Sequence, residues 1–163
     1  MRVKKLTLCA LYLAVSLTIF VLEAQIPSFL PVPGFKLGLS NIVTLFALVS
    51  LGWRPAAAVC LLRIVLGNLL TGQVTAIAYA FGGGFLSFLT MALSLRILKE
   101  GQLWIAGVLG SLAHNVGQMA VAVAVTQTPA LFLYLPVLLL CGIVTGTLTG
   151  LCAQFLKNRR LFP

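Results

Sequence analysis

Arg63 stands inside the apolar run Val59-Cys60-Leu61-Leu62-Arg63-Ile64-Val65-Leu66, a setting in which a lone cation is costly unless it faces an interior, a wet cavity or a polar partner. The chain holds no aspartate and only two glutamates, Glu23 and Glu100. A protein partner for Arg63 is therefore Glu23, a carbonyl or a neutral polar group, and an anionic ligand is the other option. A structural role, ligand contact and snorkelling to the surface all stay open. The single histidine, His114, lies in Gly110-Ser111-Leu112-Ala113-His114-Asn115-Val116-Gly117-Gln118. At helical spacing Gly110, His114 and Gln118 share one stripe, so an imidazole and an amide meet among small residues. Such a histidine is either satisfied by internal hydrogen bonds or part of a ligand site. Asn41, Asn68 and Gln73, with Glu23 and Lys36 at the rim, would be gathered by a pocket opening outward. Gly82-Gly83-Gly84 permits either close helix packing or an opening for a ligand. The candidate substrate contacts are Glu23, Lys36, Asn41, Arg63, Asn68, Gly83, His114, Asn115 and Gln118.

The same inventory argues against catalysis. There is no carboxylate pair, no nucleophile beside an orienting base and no nucleotide-binding loop. One histidine without aspartate is a poor basis for a metal site, and no cofactor is expected. Cys9, Cys60, Cys141 and Cys152 form no C-x-x-C pair and fall within hydrophobic runs, where a thiol packs as a small apolar group.

The elements that must position these groups are hydrophobic. Of 163 residues 61% are apolar and 8% charged, with a mean hydropathy of +1.13, far from the polarity of a soluble domain. Proline, glycine and charge divide the chain into six candidate spans, at about 6–26, 37–53, 55–71, 74–98, 103–126 and 130–156, against the roughly 20 residues that a bilayer requires. The expected fold is all-α: one transmembrane domain over 1–163, an integral membrane bundle of six helices. The second and third segments meet at Gly52-Trp53-Arg54-Pro55 and form a hairpin. The basic start and the apolar run Leu6 to Leu22 resemble a signal peptide, but the run is long and lacks a small-x-small cleavage pattern, so it is read as a helix. The outer connection from Gln25 to Lys36 contains Pro27, Pro31 and Pro33; it is stiff, and it is either a lid over the bundle or a rigid connector.

The net charge of +9 comes from basic residues placed singly between apolar runs, which fits anionic lipid better than nucleic acid. With six spans, Arg2, Lys4, Lys5, Arg54, Arg96, Lys99, Lys157, Arg159 and Arg160 share one side and Lys36 alone lies on the other. That bias places both termini in the cytoplasm of a cell-membrane protein.

In the first segment Ala10 and Ala14 form a small-x-x-x-small patch, with Tyr12, Ser16 and Glu23 roughly opposite. The patch serves either a partner protein or packing within the chain. Gly142, Gly146 and Gly150, four apart in the last segment, allow close backbone contact.

Pro33-Gly34-Phe35-Lys36-Leu37-Gly38-Leu39-Ser40-Asn41-Ile42-Val43, Arg63-Ile64-Val65-Leu66-Gly67, Gly82-Gly83-Gly84-Phe85-Leu86-Ser87 and His114-Asn115-Val116-Gly117-Gln118 resemble the Gx transporter family, whose members are often labelled heptaprenyl diphosphate synthase component I. That family is similar to the substrate-binding S components of energy-coupling factor (ECF) transporters. The resemblance implies six helices, capture of substrate from outside beneath the first loop, and an A-x-x-x-A surface on the first helix that meets a coupling subunit. Ala10-Leu11-Tyr12-Leu13-Ala14 matches that pattern. The synthase label conflicts with chemistry, because prenyl transfer uses aspartate-rich motifs to hold Mg²⁺ against diphosphate, and this chain has no aspartate.

Two functions follow as expectations. One is a capture subunit for uptake of a small, anionic or vitamin- or isoprenoid-related molecule, energised by separate ATPase and coupling subunits. The other is a non-catalytic accessory or scaffold in isoprenoid-quinone synthesis or membrane electron transfer. A stand-alone transporter is a weaker third.

Overall fold

The computed structural model describes residues 2–25 and 38–159. The proline-rich connection, with Lys36 and the lid assigned to it, lies outside the described residues. Six α-helices follow in order: α1 Arg2–Ala24, α2 Asn41–Leu51, α3 Trp53–Leu70, α4 Ile77–Ile97, α5 Leu103–Thr126 and α6 Leu135–Asn158. Short 3₁₀ turns at Val74–Ala76, Glu100–Gln102 and Pro129–Tyr134 lead into the last three. Among the described residues there is no strand, and the chain is an all-α bundle with the character of a multi-pass membrane protein.

Five helices are long and apolar enough to cross a bilayer, and α2 is not. Eleven residues at 1.5 Å each give α2 about 16 Å, half of the ~30 Å hydrocarbon thickness. This corrects the second predicted span, 37–53. An apolar sequence marks α2 as buried, and here it is buried by protein: none of its residues is exposed, and it touches α1, α3, α4, α5 and α6. A helix apolar on all sides belongs in the middle of a bundle. Leu45, Phe46, Ala47 and Leu48 join Tyr12, Val59, Met91, Ala106 and Ala153 in the main core.

The turn after α2 is also tighter than expected. Gly52 alone separates α2 from α3, at φ 86°, a conformation that favours glycine. Trp53, Arg54 and Pro55 already form the first turn of α3, where proline lacks only an N–H that would have no helical partner. Trp53 is exposed, with the Arg54 guanidinium 5.4 Å from its ring centre.

The glycines of α4 do not break that helix; α4 is continuous from Ile77 to Ile97. They act as contact points instead. A Cβ on Gly82 would lie 3.0 Å from the Gly117 carbonyl oxygen of α5. Between α5 and α6 the approach is closer still: a Cβ on Gly107 would stand 2.6 Å from Gly146 O and from Gly150 Cα. Helices without side chains at the crossing gain dispersion contact directly between backbones, which is what drives association where water is absent.

Candidate functional site

On α1, Tyr12, Ser16, Phe20 and Glu23 are buried, the stripe that points at the bundle interior, whereas Ala10 and Ala14 on the other side are exposed. Glu23 sits one residue before the end of α1. Its Oε1 accepts the N–H of Gly38 at 2.5 Å, which ties the end of α1 to the chain just ahead of α2. Gly38 holds φ 76°, and a side chain there would meet Asn41 Nδ2 at 3.0 Å and the His114 ring at 3.6 Å. A glycine is therefore required for two reasons, conformation and space.

Arg63 enters this region from α3 and is 2% exposed. Its Nη1 donates to the Ser40 hydroxyl oxygen. Nη1 and Nη2 both reach Asn41 Oδ1, each at 3.4 Å, and Nη2 lies 3.7 Å from Cys60 Sγ. Serine immediately before a helix commonly caps its backbone N–H groups. Ser40 makes no such cap, because its oxygen is turned to the guanidinium. Among the described residues, two buried donors nearby, Arg63 Nε and Asn41 Nδ2, have no acceptor.

His114 and Gln118 arrive from α5, both buried. Gly83 makes room for the imidazole: a Cβ at that position would be 2.9 Å from His114 O and 3.0 Å from its Cε1. Phe20, Glu23, Gly38, Ser40, Arg63, His114 and Gln118 line one cavity with Ile64 and Ala80. Its volume is about 10 Å³, near what one water molecule occupies.

A family model described as heptaprenyl diphosphate synthase component I matches residues 12–156. The chain belongs to that family. The match spans all the cavity residues and Ala14, and begins after Ala10. Among curated proteins and among solved structures, comparison finds no significant match.

Of the candidates read from sequence, Glu23, Arg63, His114 and Gln118 share the cavity, Asn41 contacts Arg63, and Gly83 abuts His114. Two others sit elsewhere. Asn68 is fully buried and donates to Ile64 O, one turn back on its own helix, at 2.7 Å. Asn115 donates to Leu138 O of α6 at 2.6 Å, a link between α5 and α6 rather than a cavity contact. Sequence reasoning missed Ser40, Gly38 and Phe20. A serine ahead of a helix reads as a cap, and a phenylalanine in an apolar helix reads as core. The Gly38-Leu39-Ser40-Asn41 string was the available signal.

Proposed function

We propose that the chain is a membrane-embedded capture subunit for a small molecule, similar to the S components of ECF transporters. The observation that supports this best is the pair of buried donors, Arg63 Nε and Asn41 Nδ2, that have no acceptor among the described residues, beside a cavity built from α1, α3, α4 and α5. An unsatisfied buried donor costs about 1–3 kcal/mol, a cost removed by a ligand that offers acceptor oxygens. The N-terminus of α2, at Asn41, adds positive dipole to the same place. The substrate is accordingly a small compound with a carboxylate, phosphate or comparable acceptor group. In this reading the bundle rearranges to admit it, since the cavity itself holds only a water-sized space.

The exposed Ala10 and Ala14 are the face that meets a coupling subunit, and ATP hydrolysis belongs to separate ATPases. The exclusion of catalysis rests on composition, because the Mg²⁺-diphosphate chemistry in the family's description needs carboxylate ligands and the chain has no aspartate. α2 is too short to span alone, but Ser50 near its end donates its hydroxyl to Tyr12 OH at 3.1 Å, so the turn into α3 lies well down α1 from Glu23. With that turn on the N-terminal side, Arg54, Arg96, Lys99, Lys157 and Arg159 share a side with Lys4 and Lys5, which favours both termini in the cytoplasm by the positive-inside rule.

A second reading has one observation in its favour. The family description names a synthase component, and Ala10 and Ala14 would suit a synthase partner equally well, making the chain a non-catalytic accessory in isoprenoid-quinone synthesis or membrane electron transfer.

Isothermal titration of the detergent-purified chain with carboxylated vitamins, flavins, quinone precursors and prenyl phosphates tests the capture role. Binding is expected for one class and lost in Arg63→Ala, with Arg63→Lys intermediate because it keeps the charge without the fork of donors. Unchanged affinity in folded Arg63→Ala rejects the assignment. Copurification of an ATPase pair supports uptake, and copurification of a prenyl synthase supports the accessory role.

A further inference from the structure

α1 and α6 are held apart by α2, which packs against both. The gap is a cleft of about 250 Å³, lined by Leu11, Tyr12, Val15 and Ile19 of α1, Ile42, Val43 and Phe46 of α2, and Leu156 of α6. A further hollow of about 510 Å³ adjoins it at Ile42 and Leu156 and is walled by Leu151, Cys152 and Phe155. Leu11, Val15, Leu151 and Phe155 are exposed, so the groove opens sideways, to the surroundings of the bundle rather than to its polar cavity. From Leu11 to Ile19 the wall runs about 12 Å along α1, close to the ~15 Å of one leaflet's hydrocarbon.

What surrounds the end of this groove is cationic. Lys4 and Lys5 precede Leu11 on α1 and are exposed. At the end of α6, exposed Arg159 holds its guanidinium 5.0 Å from the centre of the Phe155 ring, the same ring that walls the hollow. An apolar slot one leaflet deep with basic side chains at its mouth has the layout of an amphiphile: an alkyl chain below, a negative headgroup above. We propose that the groove between α1 and α6 holds one acyl chain of an anionic phospholipid, with its phosphate at Lys4, Lys5 and Arg159. A partner's transmembrane helix fits less well, since it is about 10–12 Å across and spans both leaflets.

Each basic residue near an anionic headgroup contributes about fivefold to local affinity. Cys152 is exposed and walls the groove, so it can carry a bimane label in the full chain once Cys9→Ala and Cys141→Ala are introduced, the remaining Cys60 being buried. The labelled protein is placed in vesicles containing equal mole fractions of brominated phosphatidylglycerol or brominated phosphatidylcholine. Quenching is expected to report a preference for phosphatidylglycerol of fivefold or more, falling to near unity in Lys4→Gln/Lys5→Gln/Arg159→Gln. Val15→Trp, which fills the groove, is expected to reduce quenching by both lipids. Equal quenching by the two lipids overturns the proposal. So does displacement of the brominated lipid by stoichiometric geranylgeranyl diphosphate but not by excess dioleoyl phosphatidylglycerol. Circular dichroism verifies that each variant is folded.

Discussion

The α4–α5–α6 side of the bundle and the α1–α2–α3 side are held together in different ways. On the first, backbone meets backbone at Gly82, Gly107, Gly117, Gly146 and Gly150, where added Cβ atoms would lie 2.5–3.0 Å from the nearest backbone atom of the facing helix. On the second, side chains intervene: the Phe20 ring covers Gly67, Tyr12 meets Phe46 edge-on at 5.7 Å, and Glu23 and Arg63 reach across gaps to Gly38, Ser40 and Asn41. Backbone contacts between rigid helices leave no freedom to rearrange, whereas side-chain contacts can be exchanged by rotamer changes. The polar cavity and the apolar groove both involve the second side. If the chain captures a small molecule as proposed, it needs a fixed wall and a wall that moves, and the glycine seam and the side-chain contacts would divide those tasks between the two sides.

The sharpest way to break this contrast is to overfill the glycine seam. Gly107→Leu must displace Gly146 O and Gly150 Cα, which are backbone and cannot swing aside, so its cost is expected at or above the ~1–3 kcal/mol typical of overpacking. Thermal unfolding in detergent should show loss of the cooperative transition. Gly101→Leu is the control, because nothing lies within 4 Å of its added Cβ, and its effect should stay within about 0.5 kcal/mol. Next in size is Gly83→Ala. The added methyl would press on the imidazole, at 3.0 Å from Cε1 and 3.1 Å from Nδ1. The chain has one histidine, so histidine-labelled protein gives a single imidazole signal by NMR. Gly83→Ala should shift that signal, while Gly146→Ala, which strains only the α5–α6 seam, should leave it in place. If both or neither move it, the separation between seam and cavity is wrong.

How far the sequence discloses this arrangement depends on the type of feature. Long helices are legible because lipid enforces a length: α3 to α6 begin and end near the proline, glycine and charge punctuation of the chain. The stripe of Tyr12, Ser16 and Glu23 is legible from helical spacing alone, as is the convergence of His114 with Gln118. The length of α2 is not. An apolar run looks the same whether lipid or protein surrounds it, and 37–53 carries no residue that says its environment is the middle of a bundle. Ser40 is not legible as a cavity residue because its usual local job, capping, is displaced by Arg63, a contact 23 residues away in sequence. Sequence groups Asn115 with the cavity because His114 is its neighbour. On a helix adjacent residues point about 100° apart, and Asn115 faces α6.

That divergence gives a smaller, cleaner test of the two sides. Asn115→Ala removes the hydrogen bond to Leu138 O and should cost about 1 kcal/mol in stability, read as a lower midpoint of unfolding. Ligand affinity and the His114 signal should be unchanged, since the amide serves the α5–α6 link. A change in affinity without a change in stability would return Asn115 to the cavity.

The smallest effect on the fold is expected from Ala10→Leu/Ala14→Leu. Both positions are exposed and lie opposite the stripe that carries Tyr12, Ser16 and Phe20, so the larger side chains project away from every contact that α1 makes with α2 and α3. Stability should stay within about 0.5 kcal/mol of the parent, and the single histidine signal should not move. Recovery of partner proteins on an affinity-tagged chain is where the pair should matter, because a small-residue face permits an approach that leucine blocks. Loss of partners with an unaltered midpoint assigns this face to assembly. A lowered midpoint would instead mean that α1 uses the face within its own chain, and the division between a mobile side and a fixed side would have to be redrawn around α1.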